Sequence, residues 1–126
     1  MTKTLTFFAT IVYLGFFAPA HAADHLSSSE ISALFSGRTI SHVSPRSGQT
    51  VLMVFSAGGG LHGTVGRRSE NGRWWTPGDL LCFQFPTLEK GTQICHGLVR
   101  VGSNRLQRLS PRNGRPKSGA HWVIVK

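Results

Sequence analysis

The residues that could perform catalysis are few and scattered along the chain. The 126-residue sequence has five Asp and Glu residues, and no two are spaced as a pair for general acid–base catalysis. The six histidines are isolated and show no metal-ligand spacing such as H-E-x-x-H. Gly58, Gly60 and Gly63 match the G-x-G-x-x-G pattern, but no helix pattern follows and no acid lies near position 83 to bind a ribose. We therefore expect a flexible glycine turn, no catalytic residues and no cofactor.

The surface chemistry of the chain is cationic. Fourteen Lys and Arg residues against five acids give a formal net charge of +9 at pH 7. The C-terminal third is strongly basic and includes Arg100, Arg105, Arg108, Arg112, Arg115 and Lys117, with no acid among them. Such a surface attracts polyanions such as anionic lipid, lipopolysaccharide, cell-wall polymers or acidic proteins. The alternative is that the positive charge only keeps the domain soluble.

The first 22 residues have the pattern of a secretory signal peptide. Lys3 precedes an apolar run over residues 5–18 that is too short to span a bilayer, and Ala20 and Ala22 form an A-x-A-like cleavage site. An uncleaved membrane anchor is the alternative. With 40% apolar and 15% charged residues, the rest of the chain has the composition of a folded domain. We therefore expect residues 23–126 to form one exported domain in the periplasm or the extracellular space.

Export decides how the potential metal ligands are interpreted. Cys82 and Cys95 are the only cysteines, and the two or more further ligands that a metal site needs do not flank them at suitable spacing, so an oxidising compartment predicts one disulfide rather than a metal site. If the mature chain starts at Ala23, His25 is its third residue. There the amine of Ala23, two amides and the imidazole could bind Cu(II) or Ni(II) in a square plane, which we keep as a lesser hypothesis.

The elements that must position these residues begin with one short helix. Ser27 and Glu30 have the spacing of a capping box, which predicts the start of a helix. Ile31 and Phe35 then fall on one side at helical spacing, and Gly37 favours the end of the helix. Such a short helix is not stable alone and must pack its apolar side against another element.

From residue 38 onward, short β-rich runs alternate with turn residues. The runs cover residues 38–43, 49–56, 64–68, 73–75, 80–85, 92–101, 105–109 and 121–125. This pattern predicts a mostly β fold, a meander of about seven or eight strands that forms a small barrel or a curled antiparallel sheet, with one short N-terminal helix. The run at 49–56 is apolar at both odd and even positions, so we expect the helix to cover its second face.

Turn signals predict the register of the central hairpins. The Asn-Gly dipeptide at 71–72 is the strongest signal for a two-residue turn, and such a turn would pair Arg68 with Trp75. A four-residue loop at 76–79 would pair Trp75 with Leu80. The loop at 86–91 would place Cys82 directly opposite Cys95, which supports the predicted disulfide.

Alternation along these strands divides the side chains between two faces. The core face would carry Val65, Trp74, Leu81, Phe83, Phe85, Ile94, His96 and Leu98, and the opposite face Arg68, Glu70, Arg73, Trp75, Leu80, Gln84, Gln93 and the cysteines. His96 is then either a hydrogen-bonded core residue or a polar contact inside a small barrel cavity. Trp75 is either stacked under Arg68 or a platform for a ligand.

Several short motifs together resemble a known family. They are the helix-to-strand opening at 26–39, the glycine turn at 58–63, the G-R-W motif at 72–74, and the G-D-L-L-C motif at 78–82 with the later Cys95. The chain resembles in these a family of short exported proteobacterial proteins classified as a domain of unknown function. The resemblance implies an exported β-rich domain and carries no activity.

Taken together, the sequence predicts an exported, non-catalytic binding module. The expected partner is an anionic envelope component or an acidic protein, with possible peripheral contact to a membrane, while nucleic acid is disfavoured because no reading motif is present. Trp75, Arg68, Arg73, His96 and the basic stretch from Arg100 to Lys117 are the expected contacts. The alternative is an inhibitor of an extracellular hydrolase, in which the loop at 86–91 would enter an active cleft.

Overall fold

Eight antiparallel strands close into a barrel in the computed structural model of the chain, which describes residues 25–126. The predicted signal peptide and the first two residues of the predicted mature domain, Ala23 and Asp24, lie outside the described residues. The elements are α1 (Ser28–Phe35), β1 (Arg38–Val43), β2 (Thr50–Phe55), β3 (Gly60–Val65), β4 (Arg68–Trp75), β5 (Leu81–Gln84), β6 (Ile94–Arg100), β7 (Arg105–Leu109) and β8 (Trp122–Ile124), with a 3-10 turn at Leu88–Gly91. Each strand pairs with its neighbours in the chain, and β8 pairs back with β1. The prediction of a mostly β fold with one short helix is confirmed, and the sheet takes the closed form.

Helix α1 closes one end of the barrel. The predicted capping box is present between Ser27 and Glu30, and Gly37 follows the helix with a φ of 74°. Phe35 enters the barrel, where its ring centroid lies 4.9 Å from that of Phe55 and 6.3 Å from that of Trp122. Among the described residues, no helix is long and apolar enough to cross a bilayer.

The prediction that the helix covers the second face of β2 is wrong. Leu52 and Val54 point outward and are each 41% exposed, whereas Val51, Met53 and Phe55 are buried inside. The reason is geometric: a barrel leaves its two ends uncovered, and α1 buries its apolar residues Ile31 and Phe35 at one of them.

The two ends of the barrel are therefore different. We call the end covered by α1 the closed end. Odd-numbered strands end and even-numbered strands begin at the opposite end, which we call the open end. The loops of the open end are residues 44–49, 66–67, 85–93 and 110–121.

The predicted turn at 71–72 is also wrong, because β4 runs straight through these positions. The two-residue turn lies instead at 66–67, where Val65 pairs with Arg68 and Gly66 has a φ of 59°. A glycine at the first central position is typical of a type II′ hairpin turn. Residues 60–63, expected to be part of a flexible turn, form the start of β3.

Gly72 is needed for the space beside it and does not form a turn. A Cβ at this position would collide with the backbone oxygen of Gln84 and lie 2.8 Å from Cδ1 of Phe85. Gly63 on the neighbouring strand faces the same ring, with a hypothetical Cβ only 2.5 Å from Cζ of Phe85. The two glycines therefore make room for one buried aromatic ring inside the barrel.

The loop between β4 and β5 is longer than predicted. Trp75 pairs with Cys82 rather than with Leu80, because residues 76–80 receive the start of the helix. There Ser28 donates to the backbone oxygen of Thr76 at 2.8 Å, and its amide donates to the carboxylate of Asp79 at 3.2 Å. The pairing shifts by two positions, so the alternation of faces along β5 is preserved.

The register across β5 and β6 is confirmed. Cys82 lies opposite Cys95, and the two sulfur atoms form a disulfide with an S–S distance of 2.03 Å. The cysteines are 13 positions apart, and a closed loop of that size stabilises a fold by about 3 kcal/mol. The predicted pairing of Leu81 with His96 is also present.

Candidate functional site

Four side chains with polar nitrogen atoms point into the barrel near its open end. His42 is near the end of β1, His96 near the start of β6, Arg108 near the end of β7, and Trp122 opens β8. Inward residues alternate with outward ones along each strand. The register therefore brings together four residues from four different strands.

These side chains line an open-end cavity of about 160 Å³. Its wall is completed by Ser44, Pro45, Arg46, Phe83, Glu89 and Ile94. A water molecule occupies about 30 Å³ in the liquid, so the cavity has room for about five waters. Sites for drug-sized ligands are larger, about 300–1,000 Å³, so the open-end cavity suits a small chemical group.

Lys117 crosses from the loop between β7 and β8 to the cavity wall. Its ammonium Nζ lies 2.8 Å from Nδ1 of His96. Because an ammonium group can only donate, Nδ1 must accept, and the proton of this neutral imidazole is then on Nε2. His96 is 3% exposed, so Lys117 satisfies the ring nitrogen that faces it.

Both histidines of the cavity are held in the neutral form. Burial lowers the pKa of His96 to about 3, with further lowering by the positive charges of Lys117 and Arg108 and by His42. Burial lowers the pKa of His42 to about 4, and the Arg108 guanidinium adds to the effect. Burial also lowers the pKa values of Arg108 and Lys117, partly offset for Arg108 by the negative charge of Glu89. The cavity is therefore a positively charged site with two uncharged imidazoles.

Three buried nitrogen atoms in the cavity wall lack a hydrogen-bond partner. They are Nδ1 of His42, Nε of Arg108 and Nε1 of Trp122. Trp122 is fully buried, stacks on His42 with a centroid distance of 5.2 Å and meets His96 edge-on at 5.5 Å. Arg108 uses its Nη2 to donate to the backbone oxygen of Ser118 at 3.0 Å, which fixes the guanidinium while leaving Nε free.

The loop that carries Glu89 is fixed by hydrogen bonds to a side chain of β4. The carboxylate of Glu70 accepts from the amide and hydroxyl of Thr87 and, at 3.1 Å, from the amide of Leu88. These hydrogen bonds lower the pKa of Glu70. Leu88 turns into the core, while Glu89 and Lys90 adopt left-handed backbone conformations with φ values of 53° and 57°. The loop is therefore constrained, but it folds back over the open end as a compact turn.

The predicted outer-face site is only partly assembled. Arg73 lies over Trp75, with its guanidinium carbon 5.1 Å from the ring centroid. Arg68 is not their neighbour, because β4 is one continuous strand and the two residues are at opposite ends of it. Arg68 instead donates to the hydroxyl of Thr87 at 3.2 Å. The predicted stacking of Arg68 on Trp75 is therefore wrong, and Arg73 takes that role.

The predicted basic stretch is divided between the two ends. Arg100 lies at the closed end near Arg38 and Lys126, and Arg105 lies on the outer wall at the start of β7. The remaining members, Arg108, Arg112, Arg115 and Lys117, lie at the open end. His96 was predicted as a core or cavity residue, and the structure places it in both settings.

The predicted N-terminal metal site depends on a chain that starts at Ala23. Ala23 and Asp24 lie outside the described residues, so the amine and amides of that site have no structural account. His25, the imidazole of the predicted site, packs on Gly97, with its Nε2 only 2.7 Å from where a Cβ would stand. In residues 25–126, no group of three or more His, Cys, Asp or Glu side chains could hold a metal ion. The binding of Cu(II) or Ni(II) through Ala23 and His25 therefore stays a prediction.

Sequence reasoning missed His42, Glu89 and Trp122 as site residues. Alternation along single strands does not group His42 with Trp122, and only the pairing of β8 with β1 puts both on the inner face. Glu89 enters through a loop conformation that has no sequence signature. Comparison with protein-family models, with curated proteins and with solved structures finds no match for the chain.

Proposed function

We propose that the protein is an exported, non-catalytic binding module that takes an anionic envelope partner at the open end of its barrel. The observation that carries the proposal is the uneven distribution of charge between the two ends. A partner with negative charge is drawn to the end where positive charge is concentrated, because the fields of neighbouring charges add.

The open end holds eight cationic side chains and two carboxylates among the described residues. The cations are Arg46, Arg67, Arg68, Lys90, Arg108, Arg112, Arg115 and Lys117, and the acids are Glu70 and Glu89. The closed end holds four cations and two acids, namely Arg38, Arg100, Arg105 and Lys126 with Glu30 and Asp79. Arg73 belongs to neither end, because it pairs with the start of β3 and with the end of β5. The open end therefore carries a net side-chain charge of +6 and the closed end +2, by subtraction of those counts.

The disulfide supports the exported location that the proposal requires. Cystines persist in oxidising compartments and are rare where glutathione keeps thiols reduced. Cys82 is 1% exposed and Cys95 is half-buried, so the cystine is part of the barrel wall. In an envelope, the available polyanions are lipid headgroups, lipopolysaccharide and acidic wall polymers.

Two variants with equal loss of charge test the proposal. The open-end variant replaces Arg46, Arg112 and Arg115 with Gln, and the control variant replaces Arg38, Arg100 and Lys126 with Gln. All six side chains are on exposed residues, so neither variant is expected to unfold the barrel. Retention on phosphatidylglycerol vesicles and capture of partners from an envelope extract would be measured from about 0.05 to about 1 M salt, where the Debye length falls to about 3 Å.

We expect the open-end variant to lose most of its retention and the control variant to keep most of it. Retention of the unmodified protein should fall steeply with salt and be absent on phosphatidylcholine vesicles. Equal losses in the two variants, or binding that salt does not change, would overturn the proposal. Inhibition of a cell-wall hydrolase or a protease by the purified protein, unaffected by the open-end variant, would favour the inhibitor alternative instead.

A further inference from the structure

We propose that the open-end cavity is a binding site for one small oxyanion group, a phosphate or a carboxylate, held by Arg108, Trp122 and Lys117. The inference deepens the proposed function and rests on it for the larger partner that would carry the group. It is distinct from the exposed side chains of Arg112 and Arg115, because Arg108 and Trp122 line a recessed cavity and Lys117 contacts its wall at His96.

The unpartnered donors are the first observation behind this site. The Nε of Arg108 and the Nε1 of Trp122 each carry a hydrogen at neutral pH and can only donate. Both atoms are buried in residues of the cavity wall and have no acceptor. A buried donor without a partner costs about 1–3 kcal/mol. Only an acceptor can remove this cost, and the described side chains do not supply one to these two atoms.

The charge of the cavity selects an anionic acceptor over a neutral one. Arg46 and Arg108 are the cations of its lining, Lys117 adjoins the wall through its contact with His96, and Glu89 is the one carboxylate of the lining. A guanidinium edge matches the planar or tetrahedral oxygens of carboxylate and phosphate, and such charge-assisted hydrogen bonds are about twice as strong as neutral ones. A cation would meet like charges and find two donors that cannot ligate it.

The two neutral imidazoles complete the wall without opposing the ligand. His96 has its Nδ1 occupied by the Lys117 ammonium, and His42 stacks on the indole of Trp122. Nδ1 of His42 has no hydrogen-bond partner. In the tautomer that carries its hydrogen on Nδ1, this atom can also donate to an oxyanion. An entering negative charge stabilises the protonated form of these rings, so it raises their pKa values.

The size of the cavity limits the ligand to a group rather than a molecule. About 160 Å³ holds a phosphate or carboxylate with a few waters, but not a sugar chain or an acyl tail. The rest of a larger ligand would lie outside, against the open-end arginines. The same group can come from free phosphate or from a headgroup, and the experiment must separate these sources.

The direct test follows the indole N–H resonance of Trp122 by NMR in the purified protein, expressed as the full chain. Inorganic phosphate and acetate are the small probes, and sodium chloride at matched ionic strength is the control. Phosphatidylglycerol vesicles, with phosphatidylcholine as control, test the headgroup source. We expect phosphate or acetate to shift the Trp122 signal in a saturable way while chloride leaves it in place, and Trp122→Phe assigns the signal.

Four substitutions test the assignment of the residues. Arg108→Gln and Lys117→Gln should each weaken the binding of phosphate by about tenfold, whereas Arg105→Gln, on the outer face of the same strand, should change it by less than about twofold. Glu89→Gln should strengthen it by about two- to fivefold because it removes the one opposing charge of the lining. If Arg108→Gln fails to fold, Lys117→Gln and Glu89→Gln still decide the outcome.

The outcomes separate this inference from the proposed function. Saturable phosphate shifts with no vesicle retention would support the site and overturn the envelope partner. Vesicle retention that the open-end variant loses and Arg108→Gln keeps, with no saturable phosphate shift, would support the partner and overturn the site. Trp122 shifts that chloride reproduces at equal ionic strength would likewise overturn the site, since the signal would then follow ionic strength or any anion rather than an oxyanion.

Discussion

At the scale of single residues, the two cavity histidines make folding sensitive to acid. In the folded protein the pKa is about 4 for His42 and about 3 for His96, whereas in the unfolded chain both return to the ordinary value near 6.5. The groups facing them come from every element around the cavity: Arg46, Glu89, Arg108 and Lys117, with each histidine facing the other.

We expect the free energy of unfolding to fall as the pH is lowered from about 6.5 to about 3. Over this range both imidazoles bind protons in the unfolded chain but remain neutral in the folded protein, so protonation favours unfolding. One pKa unit corresponds to about 1.4 kcal/mol, so the loss is about 3 kcal/mol for His42 and about 5 kcal/mol for His96. Above pH 6.5 these groups contribute no slope.

Denaturant unfolding at a series of pH values measures this effect. His96→Gln should flatten the slope between pH 6.5 and 3, because it removes one of the two buried imidazoles while retaining a hydrogen-bond acceptor for Lys117. His62→Gln is the control, since His62 is exposed on β3 and lies outside the cavity. An unchanged slope in His96→Gln would show that this imidazole is not kept neutral by the fold.

At the scale of elements, β4 shows how a strong local signal can be overridden. Asn71-Gly72 is a good turn dipeptide, but Gly72 is required where β4 approaches the backbone of Gln84 and the ring of Phe85. Gly66 offers a second turn of equal length, five residues earlier. Choosing between two such turns depends on contacts with β5, which the local sequence does not contain. The β5–β6 register was predictable because the loop at 86–91 places Cys82 opposite Cys95, and a cross-strand disulfide supports that pairing.

Alanine at Gly63 or Gly72 should destabilise the barrel by about 1–3 kcal/mol or more. The added methyl group would overlap the Phe85 ring in both variants and also the Gln84 backbone at position 72, so the core would be overpacked. Gly58→Ala is the matched control, because nothing lies within 4 Å of its hypothetical Cβ and its φ is not positive.

Thermal unfolding followed by circular dichroism compares the three glycine variants. Gly58→Ala is expected to stay within about 0.5 kcal/mol of the unmodified protein, as is usual for a surface change. A Gly72→Ala variant as stable as Gly58→Ala would contradict the close approach of β4 to β5 and restore the turn at 71–72.

At the scale of the whole molecule, the candidate site exists only because the sheet closes. Residues 42, 96, 108 and 122 are dispersed over more than half of the described chain and share no motif, so neither spacing nor composition could group them. His96 could be placed on the core face from one hairpin alone. Its neighbours His42 and Trp122 required knowledge that β8 returns to β1, which alternation along single strands does not provide. Closure also decides which cations gather at the open end.

Closure itself depends on the shortest strand, so a change in β8 should loosen the molecule there first. Trp122 is fully buried, lies against Phe35, Phe83 and both cavity histidines, and is held in register with Leu106. Trp122→Ala should therefore lower the free energy of unfolding by about 3–5 kcal/mol, the usual range for removing a buried aromatic side chain.

Amide hydrogen exchange shows where in the barrel this stability is lost. In the unmodified protein the amides of Thr39 and Val125, which bond across the β1–β8 seam, should exchange no faster than those of β3 and β4, because a closed barrel has no edge to fray. In Trp122→Ala the seam amides should exchange well before those of β3 and β4. Seam amides that already exchange freely in the unmodified protein would mean that the sheet is open between β1 and β8, and the cavity would then lack the wall that β8 provides.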